Sequence, residues 1–469
     1  MQSFVNMIKR LTLSAFVIIL PAVSCMASTS AEGVSLEDCI EWSLSRNVSL
    51  QSLKLEKSLD TPAALSAWGR FLPSVSVSYG INQSRYYNPT FVNSDGTVST
   101  YPRLETFIIN GTEIDTLLPV PEGKRRSSGL ALRVDEILFD GGRNYFNLKN
   151  TRIGKDIRDS QIETQMVSLR VSVIKAYALA VAAEKNLDLA FKVVEQRRLQ
   201  QRLANVRFET GSVTRRDVML AEVDLGNALN DSLQALLDVR DALENLNLII
   251  GLPLDSTYKL AGLPPLFDPV WDADSLAEIA LENRSDLRTN ELTRDIRKNE
   301  VKSAKGDYLP SLTASYLHSR SEQSGANVDF TLKPRNRYSE VGLTLSWQIF
   351  DRFTRYLQLQ QAKVNLKQSE FTSQELNQSI AKQVRSTVDH LTVLFHQAKV
   401  AVQNKNWAEE TLKFEQERYR LGSATAIELG SAQVGYMQAY SRLIKIETEF
   451  FMALGNLEQA VGINLNYRE

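Results

Sequence analysis

The sequence predicts an exported membrane protein of the α+β class, in which a few strands from each of several copies close one β-barrel and long helices form the rest. Three observations predict it: an N-terminal export signal, an internal duplication, and strand-like and helix-like segments that recur in both halves. The 469 residues are 43% hydrophobic and 23% charged, with a formal net charge of -1. This composition argues against a disordered chain, a polytopic helical membrane protein and a basic nucleic-acid binder.

The first segment is typical of a secretory signal. Lys9 and Arg10 precede an apolar run from Leu11 to Val23, and small residues with a cleavage point after Ala27 follow it. We therefore assign residues 1–27 to a signal peptide. No later stretch approaches the roughly 20 apolar residues of a transmembrane helix, so the exported protein would enter a membrane as strands.

Cys25 lies within this segment and has two interpretations. The sequence Ala22-Val23-Ser24-Cys25 resembles a lipobox, in which Cys25 would be acylated, although a lipobox usually has Leu at the position of Ala22. The alternative is that Cys25 is removed with the signal peptide. The sequence leaves both open.

The rest of the chain is duplicated, which has to be recognised before any fold is assigned. Residues 71–79 recur as residues 308–316, an offset of 237. Later matches share an offset of 211: they pair residues 138–140 with 349–351, 207–212 with 418–423, and 250–252 with 461–463. The change of offset is a 26-residue excess in the first half, since Pro73 to Phe139 spans 66 positions and Pro310 to Phe350 only 40. We predict a first repeat at 28–252, a proline-rich linker at 253–270 that crosses the outside of the helices, and a second repeat at 271–469.

Two segments in each repeat alternate apolar and polar residues with period two, as strands do. The apolar positions are Val75, Val77, Tyr79 and Ile81; Leu130, Leu132 and Val134; Leu312, Ala314 and Tyr316; and Val341, Leu343, Leu345, Trp347 and Ile349. Four strands of about ten residues with one apolar, aromatic-bearing face are typical of transmembrane β-barrels. The alternative is the half-buried strands of a soluble sandwich.

Four strands cannot close a membrane barrel, because the smallest has eight. Open strand edges in lipid leave backbone groups unsatisfied at several kcal/mol each. Several copies must therefore share one barrel: two would supply eight strands and three would supply twelve.

The remaining sequence is helical and free of proline from Asp140 to Leu252 and from Arg335 to Glu469. In the second half, a seam with alternating spacings of four and three predicts coiled-coil packing, and its first-half counterpart is interrupted once, by Glu184. This seam consists of Val384, Val388, Leu391, Phe395, Ala398 and Val402. At about 1.5 Å per residue, a helix from Arg143 to Phe208 would be roughly 100 Å long. Gly211 and Gly422 predict left-handed turns that close two helix hairpins.

Catalytic patterns are lacking. The 2 Cys and 3 His are too few for a disulfide scaffold or a four-ligand zinc cluster. His390 and His396 are six positions apart, whereas residues on one helix face are three or four apart. We predict no catalytic residue, no cofactor and no metal, and so a protein that is not an enzyme.

The sequence resembles the TolC family of outer-membrane efflux and secretion channels over about residues 35 to 466. The resemblance is carried by the export signal, the duplication, the Leu-Pro-Ser entry to each strand pair, the Phe-Asp exit at Phe139-Asp140 and Phe350-Asp351, and the Arg-aromatic-x-x-Gly-Ser hairpin tips. It implies a homotrimer in which a 12-stranded outer-membrane β-barrel continues into a periplasmic α-helical barrel. The function implied is a passive exit duct, with a periplasmic adaptor (membrane fusion) protein and an inner-membrane transporter as partners.

The resemblance also implies a constriction near the hairpin turns. Asp217 and Glu428 match the family's gate acids, and Tyr419 matches a tyrosine that holds the first of them. This chain departs from the family where it has Ala424 in place of an arginine and Ser431 in place of a second acid. The alternative is that both acids only favour the helix dipole, and the two roles are compatible.

Two other functional classes fit part of the sequence. An exported periplasmic coiled-coil adaptor explains the long helices and the signal, but it does not explain lipid-type strands. An exported structural fibre explains the repeats, but it does not explain glycine-turn hairpins with paired acids.

Overall fold

The structure is a computed structural model that describes residues 33–86, 90–100, 103–109, 112–118, 123–324 and 336–463. The predicted signal peptide and Cys25 lie outside the described residues. In chain order the first half contains α1 (Leu36–Arg46), α2 (Val48–Glu56), α3 (Asp60–Gly69), β1 (Ser74–Tyr86), β2 (Thr90–Val92), β3 (Val98–Thr100), β4 (Arg103–Ile109), β5 (Thr112–Leu118), β6 (Gly123–Phe139), α4 (Arg143–Glu209) and α5 (Arg215–Ile250). The second half contains α6 (Ala273–Asn283), α7 (Ser285–Gly306), β7 (Ser311–Ser324), β8 (Asn336–Ser346), α8 (Thr354–Arg420) and α9 (Ala426–Val461).

The duplication extends to the helix ends. Helices α4 and α8 each have 67 residues, and α5 and α9 each have 36. Helices α8 and α9 begin and end 211 positions after α4 and α5, respectively. The α4 helix is therefore about 100 Å long, and it forms one hairpin with α5 while α8 forms another with α9.

One antiparallel sheet joins the two halves, with strand order β1-β6-β7-β8. Leu132 of β6 pairs with Val77 of β1 on one side and with His318 of β7 on the other. Tyr316 of β7 pairs with Val341 of β8. The predicted four strands are confirmed, and the sheet has two edges, β1 and β8.

Two details differ from the sequence-based expectation. Strand β8 ends at Ser346, so Trp347 and Ile349 lie beyond it. Ser346 pairs with Ser311, and the residue before Ser311 is Pro310, which has no N–H to extend the ladder. The loop of the 26-residue excess also contains two short hairpins, β2–β3 and β4–β5, which the period-two pattern did not reveal.

The core lies around the middle of the long helices, where the short helices and the linker pack. In the predicted seam Val384, Val388, Leu391, Phe395 and Ala398 are buried, and Val402 is exposed. Most of these side chains join a cluster with α6 and α9 that includes Leu276, Phe450 and Leu454. The coiled-coil pattern therefore marks the packed face over most of its length.

The linker is bound to the helices by specific contacts. Tyr177 of α4 donates its hydroxyl to the carbonyl oxygens of Val34 (3.0 Å) and Gly262 (3.2 Å). The ring of Phe267 meets the rings of Trp271 and Phe450 edge to face. These contacts hold the segment between α5 and α6 against α4 and α9.

The described residues also include one helix, α4, with a stretch long and apolar enough to cross a membrane. This stretch contradicts the expectation that no segment after the signal is apolar enough to span a membrane. Half of this stretch is buried against other parts of the chain, as in the core helix of a soluble domain. Its apolar character is therefore explained by packing.

Candidate functional site at the helix hairpin tips

The two hairpins turn with the same backbone geometry. Gly211 has a φ of 70° and Gly422 a φ of 78°, in the left-handed region. A Cβ added at either glycine would meet nothing within 4 Å, so the backbone conformation and not crowding is the reason for glycine.

Both turns close the preceding helix by a Schellman motif. In the first tip the N–H of Ser212 donates to the carbonyl of Arg207 (2.8 Å), and that of Gly211 donates to the carbonyl of Phe208 (2.9 Å). The corresponding bonds of the second tip join Ser423 to Arg418 (2.8 Å) and Gly422 to Tyr419 (3.1 Å).

The predicted gate acids cap the helices that follow the turns. Oδ2 of Asp217 accepts hydrogen bonds from the backbone N–H (2.8 Å) and the hydroxyl (2.7 Å) of Thr214. Oε2 of Glu428 accepts the same two bonds from Thr425, at 2.7 Å and 2.9 Å. Each threonine and acid forms a capping box.

These bonds favour the ionised form of both acids. The side-chain hydrogen bond from Thr214 lowers the pKa of Asp217, with a smaller contribution from the charge of Arg216. The backbone hydrogen bond of Thr425 lowers the pKa of Glu428, and its side-chain bond adds to the effect. Both carboxylates are exposed, so each tip carries a solvated negative charge beside a helix N-terminus.

Tyr419 lies at the contact between the two hairpins. It is 8% exposed and packs in a small cluster with Leu412 and Leu429, to which Leu203 of α4 adds. Nη2 of Arg207 donates to the carbonyl of Tyr419 at 2.7 Å. The guanidinium carbon of Arg207 also lies 4.3 Å from the centre of the Tyr419 ring, within cation–π range.

The predicted site residues thus fall into two separate groups. Asp217 and Glu428 contact the threonines of their own caps, whereas Tyr419 contacts Arg207. In the part of the chain that the structure describes, no hydrogen bond joins Asp217 to Tyr419. The contact that links the hairpins through Arg207 was not predicted, although its signal was the arginine of the repeated Arg-aromatic motif.

The equivalent residues of the other tip have different surroundings. Phe208, the counterpart of Tyr419, is 44% exposed. Arg418, the counterpart of Arg207, stays within its own hairpin and donates to Glu415 (2.9 Å) and to the carbonyl of Ser423 (3.1 Å). The two tips therefore share a backbone conformation but differ in the residues that their side chains contact.

The opposite end of the long helices explains the Phe-Asp motif. Oδ2 of Asp140 accepts from the N–H of Asn144 (2.9 Å), and Oδ2 of Asp351 accepts from the N–H of Arg355 (2.8 Å). Each aspartate therefore caps the first turn of a long helix. Phe139 and Phe350, which precede the aspartates, are exposed at the strand-to-helix junction, as lipid-facing aromatics would be.

Groups that could hold a metal ion are absent from the described residues. His318 has its Nδ1 atom 2.7 Å from Oγ of Ser339 across β7 and β8, in a structural contact between strands.

Comparison with known proteins extends these observations. Residues 40–252 and 276–463 match the family model described as outer membrane efflux protein. The alkaline protease secretion protein AprF of Pseudomonas aeruginosa is 22% identical over 314 residues, which cover 66% of this chain and 64% of that protein. The outer membrane protein TolC of Vibrio cholerae is 22% identical over 311 residues, covering 65% of this chain and 70% of TolC.

The fold is also similar to a solved channel. The crystal structure of the Campylobacter jejuni CmeC outer membrane channel matches with a TM-score of 0.72 and 16% identity, over 92% of this chain and 87% of that one. At this identity the match establishes the fold, in which four strands continue into long helices.

Proposed function

The chain belongs to the outer membrane efflux protein family, and we propose that it is the outer-membrane exit duct of a tripartite efflux or type I secretion system. The observation that carries this proposal is a four-stranded sheet with two free edges, β1 and β8, directly continuous with helices about 100 Å long. Free edges cannot face lipid, because their backbone groups would be unsatisfied. Copies of the chain must therefore join edge to edge around a lumen.

The surface of the sheet supports its place in a membrane. Val77 and Ile81 of β1 and Val341, Leu343 and Leu345 of β8 are exposed large apolar residues on the two edge strands. An exposed apolar sheet face is stable in lipid but not in water. Three copies would give the 12 strands implied by the family, and the helices would continue the lumen into the periplasm.

The duct would act passively, between other proteins. A periplasmic adaptor (membrane fusion) protein would bind at the helical end, and an inner-membrane transporter would supply the energy. One relative named above is a protease secretion protein, and the matched family is described as outer membrane efflux protein, so the two together support a role in secretion or efflux. We propose the same general role here, with the transported substrate set by the transporter.

Tyr419, Asp217 and Glu428 would form the periplasmic constriction of the duct. Both bonds from Thr214 end on Oδ2 of Asp217, so a latch bond from the Tyr419 hydroxyl would go to Oδ1. Three copies of Glu428 would form an acidic ring, and such rings attract cations. Arg207 would support closure by holding Tyr419 between the hairpins.

The channel proposal is tested with the purified full-length protein in detergent and in planar bilayers. We expect a trimer by mass photometry and discrete conductance steps after reconstitution. A folded monomer in membrane-mimetic conditions would overturn the proposal, because one chain cannot close a barrel.

Three substitutions test the constriction. Tyr419→Phe removes only the hydroxyl and should raise open probability if the Asp217 latch forms in the assembly. Arg207→Ala removes the ring contact and should raise it if that contact closes the tip. Glu428→Gln should lower cation selectivity, with Glu410→Gln, an exposed acid of α8, as the matched control. If all three conduct and select like the unaltered protein, the constriction does not lie at these residues.

A further inference from the structure

The turn that leads into α8 contains two residues in an unusual conformation. Arg352 and Phe353 have φ values of 59° and 65°, and in the described part of the chain they are the only non-glycine residues with a positive φ. Their counterparts before α4, 211 positions earlier, are Gly141 and Gly142, with φ values of 72° and 88°. Side chains disfavour this left-handed region. The second repeat therefore keeps two side chains at a cost that glycine would avoid.

The chain itself gives these two side chains little to contact. Arg352 is exposed and forms no hydrogen bond or ion pair with any other residue that the structure describes. Phe353 is 70% exposed, and its ring meets the ring of Phe350 edge to face at 5.7 Å. Strained residues that persist in a fold cluster at functional sites. The strain at Arg352 and Phe353 points to a partner outside the chain.

Aromatic side chains form a groove at this turn, here termed the junction groove. Trp347 and Ile349 continue the odd-numbered apolar positions of β8 past its end at Ser346, so the groove lies at the foot of the face proposed to contact lipid. Aromatic residues are enriched where a membrane protein passes from lipid to water. The apolar residues that line the junction groove are Tyr308, Trp347, Ile349, Phe350, Phe353 and Tyr356.

The first repeat differs at the equivalent place. The counterparts of Trp347 and Phe353 are Glu136 and Gly142, so two of the rings belong to the second repeat alone. The counterpart of Arg352 is again a glycine. The second junction has thus acquired two aromatic rings and a positive charge within seven residues.

The charges at the junction groove favour an anion. Asp351 is the only acid among the described residues that line it, and Nε of Arg355 binds Oδ2 of Asp351 at 2.8 Å. Arg355 is further held by the carbonyl oxygen of Asp307, at 3.2 Å from its Nη1 atom. Arg352, at the edge of the groove between Asp351 and Phe353, keeps its guanidinium for an external ligand. A guanidinium matches the geometry of a phosphate.

A phosphate beside exposed aromatic rings describes an amphiphile. Free phosphate would use Arg352 and leave the rings uncovered, whereas a phospholipid supplies a phosphate together with acyl chains. The lining acid Asp351 is already paired with Arg355, so it is not available to bind a headgroup ammonium. The groove therefore fits an anionic phospholipid better than a zwitterionic one.

A second copy of the chain cannot cover this groove in the way that the first junction is covered. There Gly141 lies so close to Gly306 of α7 that a Cβ on Gly141 would be 2.2 Å from the carbonyl oxygen of Gly306. Arg352, the counterpart of Gly141, carries a Cβ. No helix end can approach the second junction as closely, which leaves the space beside it to lipid.

We propose that the junction groove binds one anionic phospholipid per chain, from the leaflet on the side of the helices. Its phosphate would contact the guanidinium of Arg352, and an acyl chain would lie on the rings of Trp347 and Phe353. This inference rests on the proposed duct, which places the junction at the membrane boundary. The bound lipid would fix the start of α8 at that boundary.

Native mass spectrometry of the full-length trimer, stripped of lipid in detergent, tests the site. Added phosphatidylglycerol should bind up to once per chain, and several-fold more tightly than phosphatidylethanolamine with the same acyl chains. Arg352→Gln removes the charge and keeps a side chain in the left-handed turn, so it should weaken phosphatidylglycerol binding several-fold. The matched control is Arg143→Gln, because Arg143 is an exposed arginine at the start of α4, next to Gly142, and its substitution should leave binding unchanged.

Three results would overturn the inference. Unchanged phosphatidylglycerol binding in Arg352→Gln would show that the phosphate is not at Arg352. An equal loss in Arg143→Gln would assign the binding to general surface charge, and equal affinity of the unaltered protein for both lipids would mean that the groove does not select an anionic headgroup. In each case an intact trimer leaves the duct in place, whereas absence of the trimer in the unaltered protein would refute the duct itself.

A fluorescence measurement covers the case in which Arg352→Gln does not assemble. In vesicles, a lipid with brominated acyl chains quenches a tryptophan that it touches, and the quenching lost in Trp347→Phe reports Trp347 alone. This part should be larger with brominated phosphatidylglycerol than with brominated phosphatidylethanolamine at the same fraction of lipid. Equal quenching by both lipids would overturn the inference, and so would no quenching of Trp347, the result expected if a second copy covers the groove.

Discussion

The two hairpin tips have the same backbone and different surroundings. Each has a left-handed glycine, a Schellman motif and a Thr-x-x-acid cap, in the same register. Yet the aromatic ring before the glycine is buried under Arg207 in the second tip and exposed in the first. The comparison shows that turn and cap are decided by a few consecutive residues, whereas burial of the ring is decided by which helix lies beside it. Substitutions made in matched pairs can separate these two causes.

The largest expected effect comes from the aromatic pair. Tyr419→Ala should destabilise the second tip by about 3 kcal/mol, because it removes a packed ring and leaves a cavity. Phe208→Ala should cost a similar amount in the assembled protein if a partner covers the ring. Hydrogen exchange of the two tip peptides in the trimer measures both values. If Tyr419→Ala destabilises its tip and Phe208→Ala has no effect, the ring of Phe208 stays exposed in the assembly as it is in the single chain.

Substitution of either turn glycine by alanine should lower the local stability by the same amount. Gly211→Ala and Gly422→Ala should each cost about 1 to 2 kcal/mol of local stability, since a side chain disfavours the left-handed conformation. Gly435→Ala is the control, because Gly435 lies within α9 with open space around it and should gain stability as a helical alanine. Unequal losses at the two turns, measured by the same exchange experiment, would contradict a purely local cause.

The capping threonines should give a smaller and again equal loss. Thr214→Ala and Thr425→Ala should each cost about 1 kcal/mol, and serine at either position should restore most of it. Thr411→Ala, in the middle of α8, should cause no loss because it does not cap a helix. If only one of the two substitutions lowers the stability, the two caps are not equivalent, contrary to what their matching geometry suggests.

The smallest effect is that of pH on the caps. The pKa values of Asp217 and Glu428 are lowered in the folded tips. The contribution of each ionised acid to tip stability is therefore fully present above the ordinary pKa values of 3.8 for Asp217 and 4.5 for Glu428. It is lost as the pH falls through the lowered values. Tip exchange, corrected for its intrinsic pH dependence, should therefore increase slightly between about pH 6 and about pH 3. The Thr→Ala variants should show less of this change, and an undiminished change in them would assign the pH effect to other groups.

Features that depend on neighbouring residues were predictable from the sequence. Absence of proline and the glycines at 211 and 422 predicted two long helix hairpins, and alternation with period two predicted four strands. The strand count also predicted sharing of one barrel between copies, because a free edge is costly in lipid. The end of β8 at Ser346 was less predictable, since it depends on Pro310, which directly precedes the neighbouring strand β7.

The family could be recognised from the sequence because the family motifs combine several of these local features. The matched family confirms that resemblance. The resemblance could not reveal which residue contacts Tyr419, since the family pattern pairs this tyrosine with Asp217. The structure instead shows Arg207 at that position, a residue 212 positions away along the chain.

The sequence by itself determined the repeat, the helix lengths, the glycine turns, the capping acids and the apolar faces of the strands. Each of these follows from periodicity, backbone preference or hydrogen bonding among residues a few positions apart. Only the tertiary structure decided the strand order β1-β6-β7-β8, the packing of α4 on α9 and the contact of Arg207 with Tyr419. These join residues far apart in sequence, and two repeats with the same helix lengths and turn positions offer each residue two equivalent partners. Spacing alone does not distinguish the two partners, because the choice depends on which hairpin lies alongside in space.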